Sequence, residues 1–137
     1  MSFIPYYPEI RFSDIDAMGH VNNAIYFSYF EQARIHFFQQ WIGMEWNWNE
    51  HGILVAHNEI DYKMPILLTD KVAIHVSVVH LGNRSFTLSY RVEKETPDGP
   101  LLCSSGASVL VCFNHLKKET TLVPDIWKEK LAPLMNA

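Results

Sequence analysis

Residues 14–23, DIDAMGHVNN, put two carboxylates two positions apart, followed by a glycine, a histidine and two asparagines. Directly behind them, AIYFSYFEQARIHFF turns densely apolar and aromatic. Asn22 and Asn23 are good N-cap types for a helix spanning residues 23 to about 42, and Gly43 suits the position just past its end. The first amides of a helix lack internal partners and carry a partial positive charge, so a developing oxyanion can sit there. A carboxylate beside that end is ionised at neutral pH and can attack an electrophilic carbon or take a proton from water. Acids ahead of an apolar helix therefore suit a reaction centred at the helix mouth.

The elements that must position these groups are legible from periodicity. YYPEIRFS (6–13) reads as a short first strand. In the helix, Tyr26, Phe30, Ala33, Phe37 and Trp41 recur at helical spacing, and Phe27, Ile35 and Phe38 widen the apolar face. Such a helix is expected to be buried on most of its circumference. Residues 53–66 read as a strand ending at Pro65, and alternating runs follow over 72–78, 86–93 and 101–113. LGNR (81–84) and TPDGP (96–100) are hairpin turn signals, and PDIWKEKLAPL closes the chain as a short helix. The expected fold is α+β, an antiparallel sheet wrapped around one long central helix as in the hotdog fold, in a single domain over residues 1–137.

The span RFSDIDAMGHVNNAIYFSYFEQAR, Arg11 to Arg34, resembles the signature of hotdog-fold acyl-CoA thioesterases of the 4-hydroxybenzoyl-CoA thioesterase-like group. The D-x-D-x-x-G-H-V-N-N core and the Y-x-x-Y-x-E-x-A-R tail occur together, and the order of strands agrees over nearly the whole chain. The resemblance implies that Asp16 is the catalytic carboxylate and that Asn23 donates its backbone amide to the thioester carbonyl. Some relatives carry a histidine where this chain has Asn23. In the plant acyl carrier protein branch a functional histidine matches His20, but its asparagine partner is replaced by Met18. Glu31 stands where the family also favours an acid, two turns into the helix; read from the residues alone, it pairs with Arg34 on the helix surface. Asp14 reads as a loop-capping acid.

Thioester hydrolysis needs a polarised carbonyl, an activated water or nucleophile, and an acyl pocket, for which the apolar helix, including Tyr26, supplies one wall. CoA carries phosphates that call for cations near the mouth. Arg84 and Ser85, in the LGNRSF turn, match a loop that contacts CoA in similar enzymes, and Lys63 is a second candidate. No bound cofactor is implied. The implied partners are an acyl-CoA substrate and further copies of the chain, as a homodimer or homotetramer, because a sheet on one helix leaves its edges exposed. Two other readings are an acyl carrier protein thioesterase, which calls for a basic docking patch, and a non-catalytic acyl-binding hotdog module, against which Asp16 weighs. Trp46 and Trp48, with Met44, either cap the pocket or simply pack.

Bulk properties narrow the field further. Of 137 residues 48% are hydrophobic and 19% charged, with a net charge of −4. That excludes a disordered chain and gives no basic stripe for nucleic acid. No apolar run approaches the ~20 residues that cross a bilayer, and MSFIPYYPEI lacks a signal-peptide pattern. Cys103 and Cys112 lie an odd distance apart in one strand, so they should face opposite ways, unpaired and reduced, in a cytoplasmic protein. His75 and His80 are expected on opposite strand faces, and the histidines show no metal-ligand spacing. Serine-hydrolase elbows and glycine-rich phosphate loops are absent from the sequence.

Overall fold

The computed structural model describes residues 3–43 and 45–136. Helix α1 (Ile25–Trp41) comes first, followed by strands β1 (Gly52–Tyr62), β2 (Val72–Leu81), β3 (Ser85–Thr96), β4 (Gly99–Asn114) and the two-residue β5 (Glu119–Thr120), then helix α2 (Asp125–Leu131). The sheet is antiparallel with strand order β1-β4-β3-β2, and β5 pairs with β4. Two hairpins close at the turns expected from LGNR and TPDGP.

An antiparallel sheet carrying a helix is thus observed, but α1 is not enclosed by it. The helix has 17 residues, about 26 Å by its rise, and eight of them are buried. Phe30 stacks on Tyr90 of β3, with ring centroids 4.2 Å apart and planes 8° from parallel, and Phe38 meets Phe86 edge-on. Glu31, Gln32, Ile35 and Gln39 face outward along α1. The sheet covers one side and leaves the other open. The short C-terminal helix α2 closes one end of this core: Trp127, 1% exposed, lies within ring contact of Trp41, Trp46, Trp48 and Phe86.

Several local expectations need correction. The first strand does not form; Tyr6 makes a single bridge to Ile74, and Phe12–Asp14 is a 3-10 turn. Pro5 and Pro8 flank Tyr6 and donate no N–H, so a ladder cannot extend there. The N-cap position of α1 is Ala24, not an asparagine. β1 stops at Tyr62, before Pro65. A register shift in β2 between Val78 and His80 sets His75 opposite Arg91 and His80 opposite Thr87. Both histidines therefore share one face, because an extra residue reverses strand parity. A similar shift skips Cys103 between β3 and β4, and both cysteines are buried and free. Met44 lies outside the described residues. No helix among the described residues is long and apolar enough to cross a membrane.

Candidate active site

The loop ahead of α1 is built on its own backbone. The Asp16 N–H donates to the His20 carbonyl at 2.9 Å, the Gly19 N–H to the Asp16 carbonyl at 3.0 Å, and the Val21 N–H to the Ile66 carbonyl at 2.9 Å. Ile15 and Val21 bridge across the loop's neck. Gly19 has φ of 83°, a conformation that a side chain would strain, which accounts for glycine inside the motif.

The two acids occupy different environments. Asp14 Oδ2 accepts the Tyr29 hydroxyl at 2.7 Å and the Arg11 N–H at 3.0 Å, and its carbonyl accepts the Asn22 N–H. Burial, then the bond to Asp14, pushes the Tyr29 pKa well above that of a free tyrosine, so the hydroxyl stays a donor. Asp14 is a joint of the fold. Asp16 is half-buried; its Oδ1 accepts the Met18 N–H at 2.9 Å, and Oδ2 has no partner among the described residues. One oxygen orients the carboxylate and the other is available.

The helix entrance offers a matching donor. The Asn22 N–H goes to Asp14, and Ala24 and Ile25 donate to the Asn22 side-chain and main-chain oxygens at 2.9 Å each. Of the four amides 22–25, only that of Asn23 has no acceptor among the described residues. The Asn23 carbonyl accepts the Tyr62 hydroxyl at 2.8 Å, which ties the end of β1 to the helix entrance. Tyr26, 3% exposed, packs its ring edge-to-face on Tyr62 at 5.0 Å; burial, then Cys103 and Tyr62 nearby, raises its pKa to about 12. Lys63 follows Tyr62 at this same end, its N–H held by the Cys103 carbonyl at 2.8 Å. His20 sits half-buried in the loop.

Between α1 and β1 runs a groove of about 340 Å³ whose walls include Ile35, Phe38, Trp48, Ile53 and Val55. Trp48 both packs on Trp127 and lines this groove. Glu31 and Arg34 line it as well, yet no ion pair within 4.0 Å joins them among the described residues. Arg34 points under the helix instead, its Nη1 donating to the Tyr90 hydroxyl at 3.2 Å and to Ser108 Oγ at 3.4 Å.

Arg84 and Ser85 lie elsewhere. Ser85 is level with Val111 of β4, which is level with Leu54 of β1. Tyr62 is eight residues further along β1, roughly 25 Å at strand rise. Within one chain the LGNRSF turn is thus at the opposite end of the sheet from Asp16 and Asn23. Arg84 donates to the Thr120 carbonyl at 3.2 Å.

The thioesterase-like superfamily model matches residues 10–131, spanning loop, helix and sheet. The chain belongs to the thioesterase-like superfamily. A thioesterase from Thermus thermophilus, solved in complex with coenzyme A and Zn, is 33% identical, with a TM-score of 0.80, over 98% of this chain and 95% of that one. The 1,4-dihydroxy-2-naphthoyl-CoA hydrolase of Gloeothece citriformis is 28% identical over 93% of this chain and 90% of its own. The long-chain acyl-CoA thioesterase FadM of Escherichia coli is 27% identical over 93% and 96%.

In this thioesterase fold, sequence reasoning missed Tyr29 and Tyr62, the two hydroxyls that pin the loop. It also missed the buried set of Arg34, Tyr90, Ser108 and Asn58, in which Ser108 Oγ donates to Asn58 Oδ1 at 2.5 Å. Each joins residues far apart in the chain, and only an inward-pointing polar residue in an apolar run, such as Ser108 between Ala107 and Val109, signals one of them.

Proposed function

We propose that the protein is an acyl-CoA thioesterase, hydrolysing a thioester to a free carboxylic acid and CoA, with Asp16 as the attacking carboxylate or as base to the attacking water. The observation that carries this reading is that the loop ahead of α1 holds both an Asp16 oxygen and an amide, that of Asn23, without a partner among the described residues. The amide would hold the thioester carbonyl oxygen, and such a donor strengthens its contact as negative charge develops. His20 and Tyr26 border the reacting group, and the α1–β1 groove takes the acyl chain. The protein works in the cytoplasm.

The separation of Arg84 and Ser85 from Asp16 is resolved by a homodimer. Among the described residues β1 pairs with β4 on one side only, and Leu54 and Val55 on it are 44% and 43% exposed. If two β1 edges pair antiparallel about a two-fold, the partner's strand reverses direction. Arg84 of the partner subunit then lies at this chain's Asp16 end, about 15 Å across the sheet at ~4.8 Å per strand. That span suits the arm of CoA between thioester and nucleotide, and Lys63 stands on the same side.

The test is thiol release over a panel of acyl-CoA and acyl carrier protein thioesters. Release from CoA thioesters that depends on Asp16 supports the reading. Turnover restricted to carrier-protein thioesters would replace the donor, and no turnover of either would leave a binding module.

A further inference from the structure

Asn23 stands between two peptide units, and they are held differently. In the unit before it, the Asn22 carbonyl accepts the Ile25 N–H at 2.9 Å. A planar trans peptide points its N–H opposite to its carbonyl. Turning that carbonyl into the helix therefore turns the Asn23 N–H outward. In the unit after it, the Ala24 N–H donates to Asn22 Oδ1 at 2.9 Å, and the Asn23 carbonyl accepts the Tyr62 hydroxyl at 2.8 Å. The bonds to Asn22 are made within the turn and would travel with it. The Tyr62 bond ties the turn to the sheet.

Tyr62 is a firm anchor. It ends β1, level with buried Ser104 of β4, and its ring stands edge-on to Tyr26 at 5.0 Å. Directly after it, the Lys63 and Met64 N–H groups both donate to the Cys103 carbonyl, at 2.8 and 3.0 Å. Lys94 of β3 reaches the same segment, its Nζ donating to the Pro65 carbonyl at 3.0 Å and to Asp70 Oδ2 at 3.2 Å. That Asp70 oxygen also accepts the Leu67 N–H at 2.8 Å. Ile66 is fully buried, and its carbonyl accepts the Val21 N–H at 2.9 Å. Residues 62–66 thus grip the helix entrance at Val21 and at Asn23, on either side of Asn22, and are themselves fixed to β3 and β4.

Packing alone does not call for the hydroxyl. Tyr62 is 45% exposed, so burial does not oblige its hydroxyl to find a protein partner. A phenylalanine would present the same ring to Tyr26. What the oxygen adds is the bond to Asn23.

We propose that Tyr62 is a positioning residue for the hydrolysis, its hydroxyl acting through the Asn23 carbonyl to keep the Asn23 N–H aimed at the thioester oxygen. This rests on the role proposed above for Asn23 and adds the group that aims the donor. A donor already aimed needs no reorganisation as charge develops on the oxygen. Loss of the aim therefore appears in kcat and not in KM.

The experiment is steady-state and single-turnover kinetics of the full chain with Tyr62→Phe, on the best acyl-CoA of the thiol-release panel. kcat is expected to fall at least ~10-fold, short of what deleting an oxyanion donor outright costs, with KM within twofold of wild type. A kcat within twofold of wild type overturns the proposal. So does a rise in KM alone, which would make Tyr62 a binding contact. If Tyr62→Phe does not fold, a ring-fluorinated tyrosine at position 62 carries the test. Its hydroxyl ionises at lower pH, and the ionised oxygen cannot donate to Asn23. Partial burial holds the unmodified Tyr62 hydroxyl above the ordinary 10.0, and Tyr26, packed against it, titrates at about 12. The fluorinated enzyme is expected to match wild type at low pH and to lose at least ~10-fold in kcat relative to it as the pH rises through the fluorinated hydroxyl's pKa. Superimposable profiles overturn the proposal. If Asp16→Asn keeps its rate while Tyr62→Phe loses it, the aspartate assignment falls and the Tyr62 proposal stands. A wild type that turns over no acyl thioester overturns both.

Discussion

Asp14 and Asp16 are two residues apart, yet their oxygens are differently engaged. Asp14 is held by Tyr29 and Arg11, while Asp16 has one oxygen spent on Met18. Asp14→Asn should therefore cost stability, about 1–2 kcal/mol for lost charge-assisted bonds, with a smaller loss of turnover than Asp16→Asn. Thermal melts beside steady-state rates check this; a larger rate loss at Asp14 would reverse the roles. Tyr26 carries a pH prediction. Its folded pKa of about 12 lies above the ordinary 10.0, so the neutral ring stabilises the fold fully below pH 10. That contribution is lost as the pH rises through 12. Tyr26→Phe should flatten part of the alkaline fall in stability, measured by denaturant melts from pH 8 to 12.

The helix–sheet contact turns on Gly106. A Cβ there would meet the Glu59 carbonyl at 2.6 Å and the Phe30 ring at 2.7 Å. Gly106→Ala should destabilise by about 1–3 kcal/mol, as overpacking does, and calorimetry on the folded variant reads it. No sequence pattern marks this glycine as the seat of α1. The elements themselves are legible: the aromatic repeat from Tyr26 to Trp41 announces α1, and period-two runs announce β2–β4. What escapes is where alternation breaks. The register shifts at Val78/His80 and at Cys103 reverse parity for every residue beyond them, so simple alternation puts His80 and Cys103 on the wrong faces. The motif likewise brings Asp16, His20 and Asn23 onto one loop from sequence alone. Tyr62, which secures Asn23, is invisible there because its partner is 39 residues away.

At the scale of the whole molecule, one chain holds the candidate catalytic loop at one end of the sheet and the CoA-binding candidates Arg84 and Ser85 at the other. The antiparallel pair proposed above would bring them together. Light scattering at micromolar concentration should give at least a dimer mass, and a monomer would contradict the arrangement. Arg84→Ala should raise KM for acyl-CoA more than it lowers kcat, and should leave an acyl-pantetheine thioester unaffected, since a remote phosphate contact is made equally in ground and transition states. Equal losses on both substrates would remove Arg84 from the phosphate site. The chemistry itself is tested most directly by single-turnover release of CoA from one good substrate by wild type and Asp16→Asn, with circular dichroism to establish folding. The change preserves size and shape and leaves the Asn23 amide in place. It is expected to lower the rate at least ~10²-fold, the low end of general-base catalysis, with a residue above background from the remaining donor. A folded Asp16→Asn enzyme that keeps more than about a tenth of the wild-type rate would contradict the assignment.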